Sequence, residues 1–226
     1  MGAATGKAFL PLAGIPLVAY ALNTLTTVPR VTCGILVVAR DAVGQARTFI
    51  AQHGPWRVPI ALTTGGDERQ DSVAAGVACV DDAADFIIVH DAARPFVTAT
   101  CVDACLDVAE RDGAAIVATP TRDTVKLVDN GRITRTLDRQ TVWLAQTPQI
   151  FRTALLRRAL ATAQRDGYVA TDDAALVEHL GETVSIVPGE PTNLKITTPD
   201  DLQWAEHYLS VRNEPRPPSS PRKAGP

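Results

Sequence analysis

The sequence predicts an α/β fold, built as a mostly parallel sheet with a projecting β-arm. Three observations carry that prediction. Phe86-Ile87-Ile88-Val89 is a short continuous apolar run, the mark of a strand buried on both faces, and it breaks abruptly into His90-Asp91-Ala92-Ala93-Arg94-Pro95. Strand-like and helix-like stretches alternate on either side of it, the rhythm of βαβ units. After Pro120 that rhythm gives way to two alternating segments around Asp129-Asn130-Gly131, a strong short-range hairpin signal.

Residues 1–12 begin without a strand, and Pro16 opens an apolar helix through Leu17, Ala21 and Leu22. Ile35–Val38 reads as a buried strand and Asp41–Gln52 as a helix begun by its aspartate cap. Val58–Leu62 is the next strand, leading into Gly65-Gly66-Asp67-Glu68-Arg69 and a helix through Val73, Val77 and Val80. The organising strand ending at Asp91 follows, then a strand at Ala114–Ala118. Thr124–Val128 and Ile133–Leu137 form the arm, bounded at about 121–144, and Trp143–Gln149 returns to the body. Arg152–Arg165 is a helix, and Thr171-Asp172-Asp173 caps another, its acids favoured by the helix dipole. Val184–Val187 and Leu194–Ile196 are the last strands, and Thr198-Pro199 starts the final helix. One domain is expected over residues 1–211, with a disordered Pro-rich tail at 212–226.

Composition narrows the class. The 226 residues suit one α/β domain, and a net charge of −3 implies no general attraction to nucleic acid or membrane. No apolar run could span a bilayer and no export signal is visible, so the chain reads as cytoplasmic. Cys101 and Cys105, one helical turn apart, read as buried thiols rather than a disulfide or zinc pair.

Ligands of open α/β sheets sit just past the carboxyl ends of strands, so Asp91 and Arg94 could hold a metal and an anion there. Alone, the same decapeptide is equally a strand end with a turn salt bridge. Gly65-Gly66-Asp67 with Ser72 at a helix start suits close backbone approach to an anionic ligand, but also an ordinary βα turn. Lys195 lies in an apolar stretch aimed at the same sheet edge as Asp91, whereas Arg139 is unremarkable by itself. His90 reads as a packed, hydrogen-bonded residue rather than a base, and hydrolase or P-loop motifs are missing.

In their order these pieces resemble the 2-C-methyl-D-erythritol 4-phosphate cytidylyltransferase family, over residues 7 to about 210. The likeness runs through Lys7-Ala8-Phe9-Leu10, Gly65–Arg69 with Ser72-Val73, Val89–Pro95 and Asp123–Lys126. It continues through Asp138-Arg139, Ala145–Gln149, Thr171–Ala174 and Asn193–Thr197. It implies a Rossmann-like sheet of the nucleotide-diphospho-sugar transferase type, and transfer of CMP from CTP to the polyol phosphate with release of pyrophosphate. It implies that Lys7 stabilises charge on the phosphates, and that Lys195 and Arg139 are catalytic with it. Gly66, Asp67, Ser72, Asp91 and Ala92 would surround the nucleotide, with Asp91 also near Mg²⁺. Arg94, Thr124, Thr147 and Thr171 would face the acceptor, as would Lys195. The family is homodimeric through its arms, so Thr124 and Arg139 would reach the partner subunit's site.

Two further expectations follow from the likeness. A related cytidylyltransferase acting on ribitol 5-phosphate is the alternative in the same class, and a truncated non-catalytic relative the alternative outside it. The family begins with a buried strand and a Gly-rich, Arg-containing loop just before the matched lysine. Gly2–Gly6 is too short for both, since five extended residues span only about 17 Å. The expectation is therefore either a start upstream of Met1 or a truncated chain of poor activity.

Overall fold

The computed structural model describes residues 6–213. The expected tail lies outside them, except that the last helix runs on through Asn213, past its expected end at 211. A small hairpin of β1 (Pro11–Leu12) and β2 (Ile15–Pro16) precedes helix α1 (Leu17–Thr27), so residues 1–12 include a short strand after all. Then come β3 (Gly34–Val38), α2 (Val43–His53), β4 (Ile60–Thr64), α3 (Arg69–Ala78) and β5 (Phe86–Val89). Helix α4 (Ala99–Asp112) leads to β6 (Ala114–Pro120), the arm strands β7 (Lys126–Asp129) and β8 (Arg132–Thr136), and β9 (Trp143–Arg152). The chain closes with α5 (Thr153–Asp166), α6 (Asp173–His179), β10 (Ser185–Pro188) and α7 (Pro199–Asn213).

The α/β class holds, and the sheet is mixed. Its main part has the order β10-β6-β9-β5, while β3 and β4 pair in parallel as a separate ribbon. Strands β10 and β6 are parallel, but β9 runs antiparallel to both β6 and β5. The arm is the reason. It leaves the end of β6 and returns directly into β9, pairing Pro120 with Trp143, with no crossover helix to reverse the chain again. At the tip, Asn130 and Gly131 have φ of 47° and 75°, the paired positive angles that a tight two-residue turn requires and glycine adopts without strain. Every residue of β7 and β8 is exposed, including Val128 and Ile133 at 59% and 64%, so the arm buries neither face on its own subunit.

Three elements differ from expectation. Helix α2 starts at Val43 behind a 3₁₀ turn at Arg40–Ala42, and Asp41 caps nothing because it is absorbed into that turn. Strand β4 lies two residues later than expected. Leu194–Ile196 is not a strand: the amide of Ile196 bonds the Ala93 carbonyl, a single contact with the loop after β5 rather than a ladder. Thr198 does cap α7, its hydroxyl accepting from the Asp201 amide at 3.1 Å.

The core is carried by the main sheet. Phe151 and Ile150 of β9 and Leu156 of α5 are fully buried, packed on one side with α6 and on the other with α4. An edge strand of this sheet ends at Val89, and it fixes the position of the loop that begins with His90 and Asp91.

Candidate active site

Asp91 follows β5 and is the negative centre of a cationic cluster. Lys195 Nζ lies 2.9 Å from its Oδ2, Arg94 Nε lies 3.7 Å from the same oxygen, and Arg69 Nε lies 3.7 Å from Oδ1. Burial works against the charged carboxylate, but Lys195, Arg69 and Arg94 outweigh it and hold the group below the usual carboxylate range. Counting Asp173, which also pairs with Arg69, three cations face two carboxylates here, on a chain that is acidic overall.

A hydrogen-bonded relay fixes the backbone under this cluster. The Asp91 amide donates to Thr147 Oγ1 at 3.0 Å, and that hydroxyl lies 3.0 Å from His90 Nδ1. His90 Nε2 lies 3.1 Å from the Arg94 carbonyl, which can only accept. The proton must therefore sit on Nε2, leaving Nδ1 to accept from the threonine hydroxyl. Burial pushes the histidine down to about 4, with the Arg94 carbonyl opposing the shift, so it is neutral near pH 7. Its expected role as a packed residue is what the structure shows.

Arg94 is anchored by the Asn193 carbonyl at 2.8 Å and reaches the Ala145 carbonyl at 3.4 Å. Its buried Nε has no hydrogen-bond partner among the described residues. Asn193 is itself 2% exposed and donates to Gln146 Oε1 at 3.1 Å and to the Thr147 carbonyl at 2.9 Å. Two residues further on, Lys195 is delivered to Asp91 by a loop that is pinned rather than laddered.

The turn between β4 and α3 lies beside this cluster. A Cβ added at Gly65 would run into Ser72 Oγ, and one at Gly66 into Asp71 Cβ, so only glycine lets the turn fold this tightly onto α3. Glu68 and Asp71 close a reciprocal capping box there. Arg69 then spans outward, its two terminal nitrogens meeting Asp173 at 3.0 and 2.6 Å. Asp173 is fully buried; burial pushes its carboxyl up and the guanidinium pulls it back.

Of the expected site residues, Asp91, Arg94 and Lys195 meet directly, and Thr147 joins them through the Asp91 amide. Thr147 is 4% exposed, and its hydroxyl accepts from the Asp91 amide and lies within hydrogen-bond distance of His90. Lys7 is brought to the same loop, its Nζ 3.4 Å from the Thr197 carbonyl. Gly66 and Asp67 are exposed on the β4–α3 turn, Ser72 is half-buried behind it, and Ala92 packs partly against α1 and β3. Thr171 is exposed just ahead of α6. Thr124 and Arg139 stay on the arm, where Arg139 meets the Arg122 carbonyl at 3.4 Å. Sequence reading missed Arg69 and Asp173 as working partners, and Asn193 and Gln149 as supports. The signal was there: polar side chains inside apolar segments must be satisfied by something.

No helix among the described residues is long and apolar enough to cross a membrane, and no group of three or more His, Cys, Asp or Glu among them could hold a metal. Comparison with known proteins gives a consistent result. A family model described as IspD, 2-C-methyl-D-erythritol 4-phosphate cytidylyltransferase, matches residues 1–211. The chain is 40% identical over 212 residues to the protein of that name from Acidobacterium capsulatum, covering 92% of this chain and 88% of that one. It is 42% identical over 210 residues to the namesake from Syntrophus aciditrophicus, covering 92% and 90%. Among solved structures, the 2-C-methyl-D-erythritol 4-phosphate cytidylyltransferase of Thermus thermophilus superposes with a TM-score of 0.77 at 36% identity, over 91% of this chain and 94% of that one. The 4-diphosphocytidyl-2C-methyl-D-erythritol synthase of Anaerococcus prevotii gives 0.84 at 27% identity, over 91% and 94%.

Proposed function

Because the chain belongs to the 2-C-methyl-D-erythritol 4-phosphate cytidylyltransferase family, we propose that it transfers CMP from CTP to 2-C-methyl-D-erythritol 4-phosphate. The products are 4-diphosphocytidyl-2-C-methyl-D-erythritol and pyrophosphate, a step of isoprenoid biosynthesis by the non-mevalonate route. The observation that carries the reading is the convergence on Asp91 of Lys195 and Arg69, from segments far apart in the chain, with Arg94 three residues further along the same turn.

The chemistry asks for that arrangement. A phosphate oxygen of the acceptor attacks the α-phosphorus of CTP, one O–P bond forms, and the bond to pyrophosphate breaks. Two polyanions must approach, so the enzyme's work is positioning and charge neutralisation. A phosphate monoester, with its second pKa at about 6, is already largely ionised near neutral pH and needs no side-chain base. His90, neutral and engaged at both ring nitrogens, is not asked to be one. Lys7, from the N-terminal 3₁₀ turn, reaches the loop that carries Lys195, and both would meet the phosphates; Arg94 would add its charge from beside Asp91.

A divalent cation, Mg²⁺ by preference, fits this donor set in a limited way. Mg²⁺ in nucleotide sites takes one or two carboxylates and leaves the rest to phosphates and water. Asp91 would be the carboxylate: it is ionised, and the nearest cation to its Oδ1 is at 3.7 Å. When bound, the ion would supply further charge neutralisation on the triphosphate. The proposal includes a cytoplasmic location and a homodimer through the arm. The exposed Val128, Ile133 and Leu144 of the arm and its return strand, at 59%, 64% and 55%, support an apolar contact with a second copy.

The test is pyrophosphate release from CTP with each of two acceptors. Turnover with 2-C-methyl-D-erythritol 4-phosphate is expected. Turnover with ribitol 5-phosphate alone would replace the acceptor, and silence with both would overturn the enzymatic reading.

A further inference from the structure

We propose that Arg69 and Gln70 are positioning residues that lock the segment Tyr168–Asp173 to the β4–α3 turn, so that filling the nucleotide subsite orders the acceptor subsite. The inference rests on the assignment of those two subsites given above. Residues 168–172 have no regular secondary structure, so their backbone polar groups need partners from elsewhere. Gln70 provides two of them: its Nε2 donates to the Tyr168 carbonyl at 3.2 Å, and its Oε1 accepts from the Ala170 amide at 3.0 Å. One side-chain amide thus replaces a rung of sheet. At the far end of the segment, Arg69 holds both oxygens of Asp173 while its Nε faces Asp91.

Thr171 lies between these two anchors, and both anchors stand on the first turn of α3. The same turn of helix carries Ser72 and packs Asp71 against Gly66. A ligand that fixes Gly66, Asp67 and Ser72 therefore fixes the platform from which Gln70 and Arg69 reach across. The other side of the segment is already rigid, because Gln149 Oε1 accepts from the amides of both Asp173 and Ala174 at 3.0 Å. The freedom left to Thr171 is governed from the nucleotide side. Arginine suits this place because a planar fork can hold a carboxylate bidentately and still present Nε to Asp91, which a lysine cannot.

Amide hydrogen exchange on the unmodified protein gives the first test. Saturating CTP without acceptor should slow exchange at residues 168–171 as well as at 65–72. Slowing confined to 65–72 would overturn the coupling, whatever the enzyme's activity. The second test is Gln70→Ala. Losing two neutral hydrogen bonds should raise the acceptor KM about tenfold, leave the CTP Kd within about twofold, and abolish the CTP-induced slowing at 168–171. An acceptor KM unchanged in a folded variant would overturn it too. Should Gln70→Ala fail to fold, the exchange result on the unmodified protein decides. Should the unmodified protein transfer no CMP, the assigned activity fails, and the exchange result still decides the coupling by itself.

Discussion

The pH dependence of stability should carry the signature of His90. In the neutral state its relay has the proton on Nε2 and Thr147 donating to Nδ1. Adding a second proton forces the Thr147 hydroxyl to turn and accept instead of donate, and places a desolvated cation close to Arg94. The folded value of about 4 lies below the ordinary 6.5, so the unfolded chain binds the proton more readily throughout that interval. Stability is then complete above the unfolded value and is lost as pH falls toward the folded one. Linkage over these two values gives a loss of about 2 kcal/mol between about pH 7.5 and about pH 5. For a domain of this size that amounts to roughly 4–8 °C in unfolding midpoint. The assay is urea denaturation across that range, comparing the protein with His90→Asn. The difference between the two proteins is the informative quantity, because it isolates position 90. Carboxylates contribute equally to both proteins and drop out of that difference. The variant should be less stable at neutral pH but lose less on acidification. Equal slopes in both proteins would refute the relay as described.

Three other outcomes follow from the same geometry. Asp173→Asn leaves the Arg69 guanidinium facing a neutral amide at a fully buried position, and should cost about 3 kcal/mol, measured by urea unfolding. Gly66→Ala drives a methyl into Asp71 and should weaken CTP binding by calorimetry well before it affects unfolding, because the turn can yield outward. Arg139→Ala should impair acceptor use far more than CTP binding. Mixed with Lys195→Ala chains it should recover part of the activity, since one of the two hybrid sites then has both residues, and no recovery in a verified heterodimer would defeat the shared site.

Local signals in the sequence were legible where the physics is local. An apolar run ending at Val89 is a strand, although at the sheet edge only Ile87 of its four residues is buried, and Asn130-Gly131 turns a hairpin because both must take positive φ. Thr198 before Pro199 caps a helix for reasons contained in three residues. Asp41 obeyed the same rule on paper and did not cap, because a 3₁₀ turn took its place. Leu194–Ile196 looked like a strand by composition, yet strands need a neighbour, and this segment meets Ala93 through a single backbone bond. The direction of β9 was hidden for a related reason: it depends on the arm returning beside the strand it left.

The site's supports were harder to read, although one clue was present. Arg69 and Asp173 are 104 positions apart, and no spacing rule connects them. Of the seven buried polar or charged residues among those described, five (Gln146, Thr147, Gln149, Asp173 and Asn193) belong to the network around Asp91. Three of these sit within four residues of β9, a strand whose neighbours Ile150 and Phe151 are fully apolar and fully buried. Side chains of that kind are costly in a core unless each finds a partner, so three together signal that the strand is holding something else in place. Each in fact reaches a different segment: Gln146 the loop at Glu190 and Asn193, Thr147 the turn at His90 and Asp91, and Gln149 the start of α6. A polar stretch in the middle of a buried strand thus identifies the strand that gathers a site.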